Sequence, residues 1–284
     1  MDNAATMQAT RWPALAAAQH HVPEHRVPVL IGEAEVGSVA RTHLPALTAF
    51  SDALAIGDDA VRLTQPAALA RINDTLRRAG LIIGWRDETY AIVDPATLQR
   101  LGRLERAAAR FWGTLTFGAH CNGYVAGADG RPTHLWIARR SPTKATDPGK
   151  LDNLIGGGVP HDQTPQQTLL REGWEEAGLR TAQLAALRPG RMVRVYRDIP
   201  EGLQHEWLYV YDLPLPADAQ PRNQDGEVAE LRLLPIADAL ALAASDEMTV
   251  DASLVTLDFA LRHGLLHDID AAGVLLEPRA WPDG

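Results

Sequence analysis

Residues 156–179 read GGGVPHDQTPQQTLLREGWEEAGL, and their pattern decides the fold. Thr164 stands before Pro165, and Gln167 follows three positions after Thr164. This combines an N-cap, a proline at the first helical position and a reciprocal capping box. Gly178 follows Ala177, where a left-handed glycine commonly closes a helix. The pattern predicts a helix over 165–177. Leu170, Gly173, Trp174 and Ala177 fall on one stripe, expected to face the core. Gly173 costs ~1 kcal/mol of helix stability relative to Ala, and on a core-facing side it allows close packing against a strand. Glu172, Glu175 and Glu176 are spaced to converge on another face. Like charges one turn apart repel by roughly 0.3 kcal/mol on an open helix. A divalent cation reverses that sign, because Mg²⁺ and Mn²⁺ take carboxylate oxygens. Arg171, one turn before Glu175, is placed to orient that carboxylate by a charge-assisted hydrogen bond.

Outward from this stretch, the texture divides near residue 112. Residues 1–25 read as a helical or loose lead-in. Val27–Val39 predicts two short strands around a Gly32-Glu33 turn. Arg41–Phe50 and Ala67–Ala79 read as amphipathic helices, and Tyr90–Val93 as a strand. Asp94-Pro95 is expected to open a helix running to about Phe111. Beyond Gly113, strands are expected at Leu115–Val125 and His134–Ala138, joined by an Asp129-Gly130 turn. More strands follow at Met192–Tyr196, Trp207–Leu213 and Leu231–Leu234, then helices at Ile236–Ala244 and Ala252–Arg262. The expected organisation is a small α+β unit over 1–112 and a β-core with helices over 113–284.

The 284 residues carry a formal net charge of −9. That balance disfavours binding to nucleic-acid phosphates or to an anionic membrane surface. No apolar stretch approaches the ~18 residues of a membrane span. With Cys121 as the sole cysteine, an intrachain disulfide and a cysteine-based zinc site are excluded. A cytoplasmic enzyme is the expectation.

The helix and its approach resemble the Nudix box, G-x5-E-x7-R-E-U-x-E-E-x-G-U, where U is a bulky apolar residue. Gly157 is followed after five residues by Gln163, then after seven by Arg171-Glu172-Gly173-Trp174-Glu175-Glu176-Ala177-Gly178-Leu179. Gln163 replaces the first glutamate and Gly173 replaces the first U. The wider chain resembles a Nudix subfamily with an extra N-terminal domain of the DUF4743 type, and the Nudix part fused to some fungal thiamine pyrophosphokinases. GWRDETYAI (84–92), ERAAARFWG (105–113), WIARRSPTKATDPGKLDN (136–153), LYVYDLPLP (208–216) and NQDGEVAE (223–230) carry this second likeness.

The resemblance implies an α+β fold: a Nudix α/β/α sandwich with a mixed sheet, preceded by a small α+β domain. It also implies a hydrolase using Mg²⁺ or Mn²⁺ on thiamine diphosphate or an oxidised analogue. Glu172, Glu175, Glu176 and the Gly157 carbonyl would hold the metal, with Arg171 and Glu175 in the catalytic set. Glu206 is the first external acid to consider as a base, and Glu227 the second. Arg139, Arg140, Lys144 and Lys150 gather positive charge before the box and are expected to meet a small-molecule diphosphate, with Glu227 nearby. Trp85, Arg86 and Tyr90 are candidates to frame a heteroaromatic base. His120 and Asn122 read as satisfied polar side chains, and Cys121 as a packing residue. The extra N-terminal unit offers a surface for a homodimer. Three rivals stand beside this reading: an isopentenyl-diphosphate-type isomerase, a hydrolase of nucleoside-diphosphate compounds such as ADP-ribose, and a binding module without turnover.

Overall fold

The computed structural model describes residues 12–281, so the part of the expected lead-in before Trp12 lies outside the described residues. A short helix, α1 (Pro13–Ala17), opens them. Four strands form the first sheet: β1 (Arg26–Ile31), β2 (Ala34–Ala40), β3 (Leu54–Ile56) and β4 (Val61–Leu63). Their order is β2-β1-β4-β3, with β1 and β4 parallel. The β1–β2 turn falls at Gly32, whose φ of 59° suits glycine. The expected helix at Arg41–Phe50 breaks into a 3-10 turn, α2 (Leu44–Leu47) and another 3-10 turn. Pro45 explains the break, since its ring would collide with the carbonyl four residues earlier in a continuous helix. Next comes α3 (Leu69–Arg78).

The helix expected from Asp94 to Phe111 is not present as such. Instead β5 (Thr89–Val93) and β6 (Arg100–Glu105) form a hairpin, followed by α4 (Arg106–Trp112). Asp94 accepts from the Ala96 N–H at 2.9 Å and from the Thr97 hydroxyl at 2.8 Å. These local bonds make a turn from the same Asp-Pro signal that also begins helices. The true N-cap is Glu105, whose carboxylate accepts from the Ala107 N–H.

The second sheet has eight strands. They are β7 (Thr116–Ala126), β8 (Pro132–Arg140), β9 (Leu151–Asp152), β10 (Ile155–Gly158), β11 (Arg188–Ile199), β12 (Gly202–Pro214), β13 (Val228–Pro235) and β14 (Leu275–Leu276). The main order is β13-β8-β7-β12-β11-β14, with β10 on β7 and β9 on β8. β7 and β12 run parallel, so the sheet is mixed. α5 (Pro165–Ala177) and α6 (Thr181–Leu184) cover one face. α7 (Ile236–Ala243) and α8 (Val250–Arg262) cover the other. The result is an α/β/α sandwich. Trp12 and Ala18 pack with α8, and the Trp12 indole N–H donates to Ser253 Oγ at 2.9 Å. The described chain therefore touches the second sheet before it builds the first. Among the described residues, no helix is long and apolar enough to cross a membrane.

α5 has the expected bounds, the complete Thr164/Gln167 capping box and Gly178 at φ 63°. Its buried stripe differs from the expected one. Leu169, Gly173, Glu176 and Ala177 face inward, whereas Trp174 is 50% exposed and Leu170 only partly covered. The helix is rotated so that Gly173 meets Ile155 and Leu184, and a carboxylate rather than the indole turns toward β10.

Candidate active site

β10 shows why residues 156–158 are all glycine. Side chains alternate along a strand, and here each missing one is replaced by a group from elsewhere. A methyl at Gly157 would overlap the Glu172 carboxylate arriving from α5. At Gly156 it would sit 2.8 Å from Cε1 of the His120 ring. At Gly158 it would overlap the Tyr90 hydroxyl and approach Arg106 Cζ to 3.6 Å. The strand thus separates the helix glutamates from His120, Tyr90 and Arg106.

On the helix side, Arg171 binds Glu172 and Glu175, each at 2.8 Å. Gln163 Oε1 accepts from Thr168 Oγ1 at 3.1 Å and from Arg171 Nε at 3.5 Å. Glu176 is buried and accepts from the Gly156 N–H at 2.8 Å, with Lys144 Nζ 3.8 Å away. Lys144 also pairs with Glu227. Burial, reinforced by Glu172, drives the Glu176 carboxyl above its ordinary range. Burial likewise raises Glu172 against the pull of Arg171, and lowers Lys144 against the pull of Glu176. Arg171 thus bridges Glu172 and Glu175, and Lys144 stands beside Glu176. Among the described residues, no three His, Cys, Asp or Glu side chains gather closely enough to form a ready-made metal centre. The donor chemistry nonetheless fits a hard divalent cation: it offers carboxylate oxygens whose burial makes an added positive charge favourable.

On the opposite side of β10 lies a cleft of about 320 Å³. His120, Arg140, Gln204, Glu206 and Asp251 line it, with Arg106 and Arg110 from α4. The Glu206 carboxylate and the Gly157 carbonyl both approach Gly118, at 3.2 and 3.6 Å from where its Cβ would stand. Gln204 Nε2 donates to Glu206 Oε2 at 3.0 Å and to Asp251 Oδ2 at 3.1 Å. Arg197 Nε donates to Gln204 Oε1 at 2.8 Å, which fixes the direction of that amide. Burial, then the charge of Glu206, raises the Asp251 carboxyl. His120 Nδ1 is 3.0 Å from Asn153 Oδ1. Asn153 in turn donates to Asn122, and Asn122 to Asp212, in the interior.

The sequence-derived residues are therefore divided. Arg171, Glu172, Glu175 and Glu176 lie on the helix side, Glu206 and Arg140 in the cleft, and Gly157 between them. Arg140 is fixed by Asp152 at 2.7 Å and the Thr146 carbonyl at 2.9 Å. The expected basic loop does not converge. Arg139 is taken by the Gly149 carbonyl at 2.8 Å and lies 3.6 Å from Glu230. Lys150 pairs with Asp147 at 3.8 Å. Lys144 and Glu227 sit together behind Glu176. The physical reason is that the loop folds back on β8, where its own carbonyls and Asp147 take Arg139, Arg140 and Lys150, while acids of α5 and of the segment before β13 take Lys144. Trp85 does not join the cleft either. It packs under Arg77, 4.6 Å from the guanidinium, and bonds Asp87. Tyr90 is buried behind Gly158. Asn122 and Cys121 are interior residues, and burial pushes the Cys121 thiol up.

Sequence reading missed Arg106, Arg110, Arg197, Gln204 and Asp251. The first two had a signal. In ERAAAR they stand four apart, on one helix face. Gln204 and Glu206 alternate onto one side of a strand.

The NUDIX domain family model matches residues 120–253, and the "Domain of unknown function (DUF4743)" model matches 8–116. "Nudix hydrolase 24, chloroplastic" of Arabidopsis thaliana is 35% identical over 252 residues, covering 84% of this chain and 68% of that protein. The chain belongs to the Nudix hydrolase family. It is also similar to "Nudix hydrolase 20, chloroplastic" of the same organism, 39% identical over 70% of the chain, and spans about half (53%) of that relative. Among solved structures it is similar to DR0079 from Deinococcus radiodurans, with 24% identity and a TM-score of 0.46, covering 61% of this chain and 99% of that one. As a Nudix hydrolase it is a pyrophosphohydrolase with an N-terminal DUF4743 unit.

Proposed function

We propose that this Nudix hydrolase splits the P–O–P bond of a small-molecule diphosphate, with thiamine diphosphate and its oxidised analogues as the first substrates to test. One observation carries the reading of the site: Glu172 arrives from the helix against Gly157 of β10, while the Gly157 carbonyl and the Glu206 carboxylate both approach Gly118 on the neighbouring strand. The thiamine-type substrate is supported by the likeness of residues 84–92 and 136–153 to the Nudix part of thiamine pyrophosphokinase fusions.

In this reading Glu172, Glu175, Glu176 and the Gly157 carbonyl hold Mg²⁺ or Mn²⁺, and Arg171 orients two of those carboxylates. The bound cation supplies charge neutralisation at the phosphoryl oxygens and a more acidic water. Glu206 accepts the proton of the attacking water, and the Gln204 amide holds that carboxylate in place. Arg140, locked by Asp152 and Thr146, presents a fixed positive edge to the diphosphate. Asp251 accepts from the same Gln204 amide and restrains it.

The experiment is hydrolysis of thiamine diphosphate, its oxidised analogues, ADP-ribose and a nucleoside triphosphate with Mg²⁺ or Mn²⁺, scored by monophosphate release. Glu175→Gln, Glu176→Gln and Glu206→Gln are run alongside. The expected result is turnover of thiamine-type diphosphates, lost at least 100-fold in the box variants and reduced by 10²–10⁴ in Glu206→Gln, by analogy with general bases. Turnover confined to nucleotides overturns the substrate. Diphosphate binding without monophosphate release overturns the reaction.

A further inference from the structure

The main cleft continues into a second chamber of about 210 Å³. The two share Arg106, Arg110, Ala145, Thr146 and Glu201 as walls. The second is completed by Ile83, Gly84, Arg86 and Ala107, all from the DUF4743 unit. Three guanidinium groups and one carboxylate line it, an excess of positive charge in a chain whose net charge is −9.

The surrounding contacts leave much of that charge unneutralised. The nearest carboxylate to Arg110 is Glu201 at 4.0 Å, beyond hydrogen-bond distance. Arg86 reaches Glu227 only at 3.9 Å. Arg106 is paired with Glu88 at 2.8 Å, yet its guanidinium still lies 3.6 Å from where a Gly158 Cβ would stand. The helix carrying Arg106 and Arg110 is pinned to the catalytic unit. A methyl at Gly202 would overlap the Arg110 carbonyl, so the β11–β12 turn sits directly on the α4 backbone. The box approach is tied to the same unit, since the His161 N–H donates to the Thr89 carbonyl at 2.9 Å.

We propose that the DUF4743 unit completes the active site, with Arg110 and Arg86 gripping an anionic end of the substrate that lies beyond the phosphorus held by the glutamates. The ligand chemistry is a phosphate bearing free oxygens, which guanidinium forks bind through paired N–H donors. This rests on the diphosphate reading above and adds the residues that select the substrate's outer end. Arg110 and Arg86 are positioned for ground-state binding, so their loss acts on affinity more than on the chemical step.

The test uses the full chain, wild type beside Arg110→Ala, Arg110→Lys and Arg86→Ala. Inorganic pyrophosphate binding is measured by calorimetry, and steady-state turnover is measured on thiamine diphosphate and on ADP-ribose. Far-ultraviolet circular dichroism and melting temperature check that each variant folds. The expected result is a tenfold or greater loss of pyrophosphate affinity in Arg110→Ala, partly restored in Arg110→Lys. KM for whichever diphosphate is turned over should rise at least tenfold, with kcat within threefold. If wild type binds pyrophosphate in an Arg110-dependent way but hydrolyses nothing, the diphosphatase reading fails and the grip stands. If wild type hydrolyses a diphosphate and all three variants keep its KM and pyrophosphate affinity within twofold, the grip is overturned. Wild type that neither binds pyrophosphate nor hydrolyses any compound overturns both.

Discussion

Replacing Gly157 with alanine separates catalysis from stability. Its φ does not lie in the left-handed region, so the backbone accepts a side chain. The added Cβ would lie 2.5 Å from Cδ and 2.7 Å from Cγ of Glu172. Carbon atoms settle at roughly 3.5 Å or more, so the carboxyl group must retreat by about 1 Å. That retreat breaks the 2.8 Å contact with Arg171. The displaced atoms are the far end of a flexible side chain, so the cost to folding is small, about 1 kcal/mol. It is partly offset by the lower unfolded-state entropy of alanine, worth about 0.4–1 kcal/mol. A 1 Å misplacement of a catalytic group can cost on the order of 100-fold in rate. Gly157→Ala should therefore lose 10- to 100-fold in Mn²⁺-dependent diphosphate hydrolysis while its melting temperature moves by less than about 4 °C. Gly156→Ala provides the contrast. There the obstacle is the His120 ring, and moving it breaks the 3.0 Å contact with Asn153, so stability should fall by about 2–3 kcal/mol. Gly157→Ala with activity within twofold of wild type would refute the role given to Glu172. A loss of more than about 3 kcal/mol in the same variant would show that the displacement is not local.

Gly158→Ala should destabilise by about 1–3 kcal/mol through overlap with Tyr90, and Tyr90→Phe in the same chain should recover at least half of it, read as a non-additive cycle in urea unfolding. Gln163→Glu should change hydrolysis less than threefold and leave stability equal or higher, because residue 163 touches Thr168 and Arg171; a tenfold gain in metal affinity would refute that reading. His205 should impose an acid limit. Burial, then Arg194, lowers its folded pKa from 6.5 to about 4. Between those values the unfolded chain takes up a proton that the folded chain refuses, so stability is full above about pH 6.5 and falls as pH drops. The loss is about 2 kcal/mol by pH 5. His205→Gln should flatten that slope, measured as unfolding free energy at pH 7.5 and 5; an unchanged slope would sink the assignment.

The box helix was legible because its signals are local: a cap, a proline, a spacing and a terminal glycine, all within residues 164–178. The glycines before it were legible as a motif but not in their cause, since Glu172, His120 and Tyr90 reach them from three separate elements. The orientation of the helix was misread because Trp174 weighs heavily in any apolar stripe, whereas the packing turns on Gly173 fitting against Ile155 and Leu184. Asp94-Pro95 misled because the same side-chain bonds start helices and close hairpins. The basic loop misled for another reason: its spacing brings Arg139, Lys144 and Lys150 near one another, but the Gly149 carbonyl and Asp147 within the loop claim Arg139 and Lys150, and Glu176 and Glu227 from outside it claim Lys144. Arg106 and Arg110 were within reach, as a four-residue spacing on a helix face, and became meaningful only once α4 docked beside β10.

Trp12, near the start of the chain, finds its hydrogen-bond partner Ser253 241 residues later, and the Ala18 carbonyl is claimed by the Tyr196 N–H. At about 5–20 residues per second of synthesis, Trp12 waits roughly 12–50 s for α8 to be made, long after the rest of the DUF4743 stretch that contains it is complete. The catalytic sandwich thus closes after the DUF4743 stretch is made, around a segment made well before α8. A fragment begun at residue 113 would lack both that segment and the arginines of α4, so the two family matches along this chain do not mark a place where it can be cut into independent pieces.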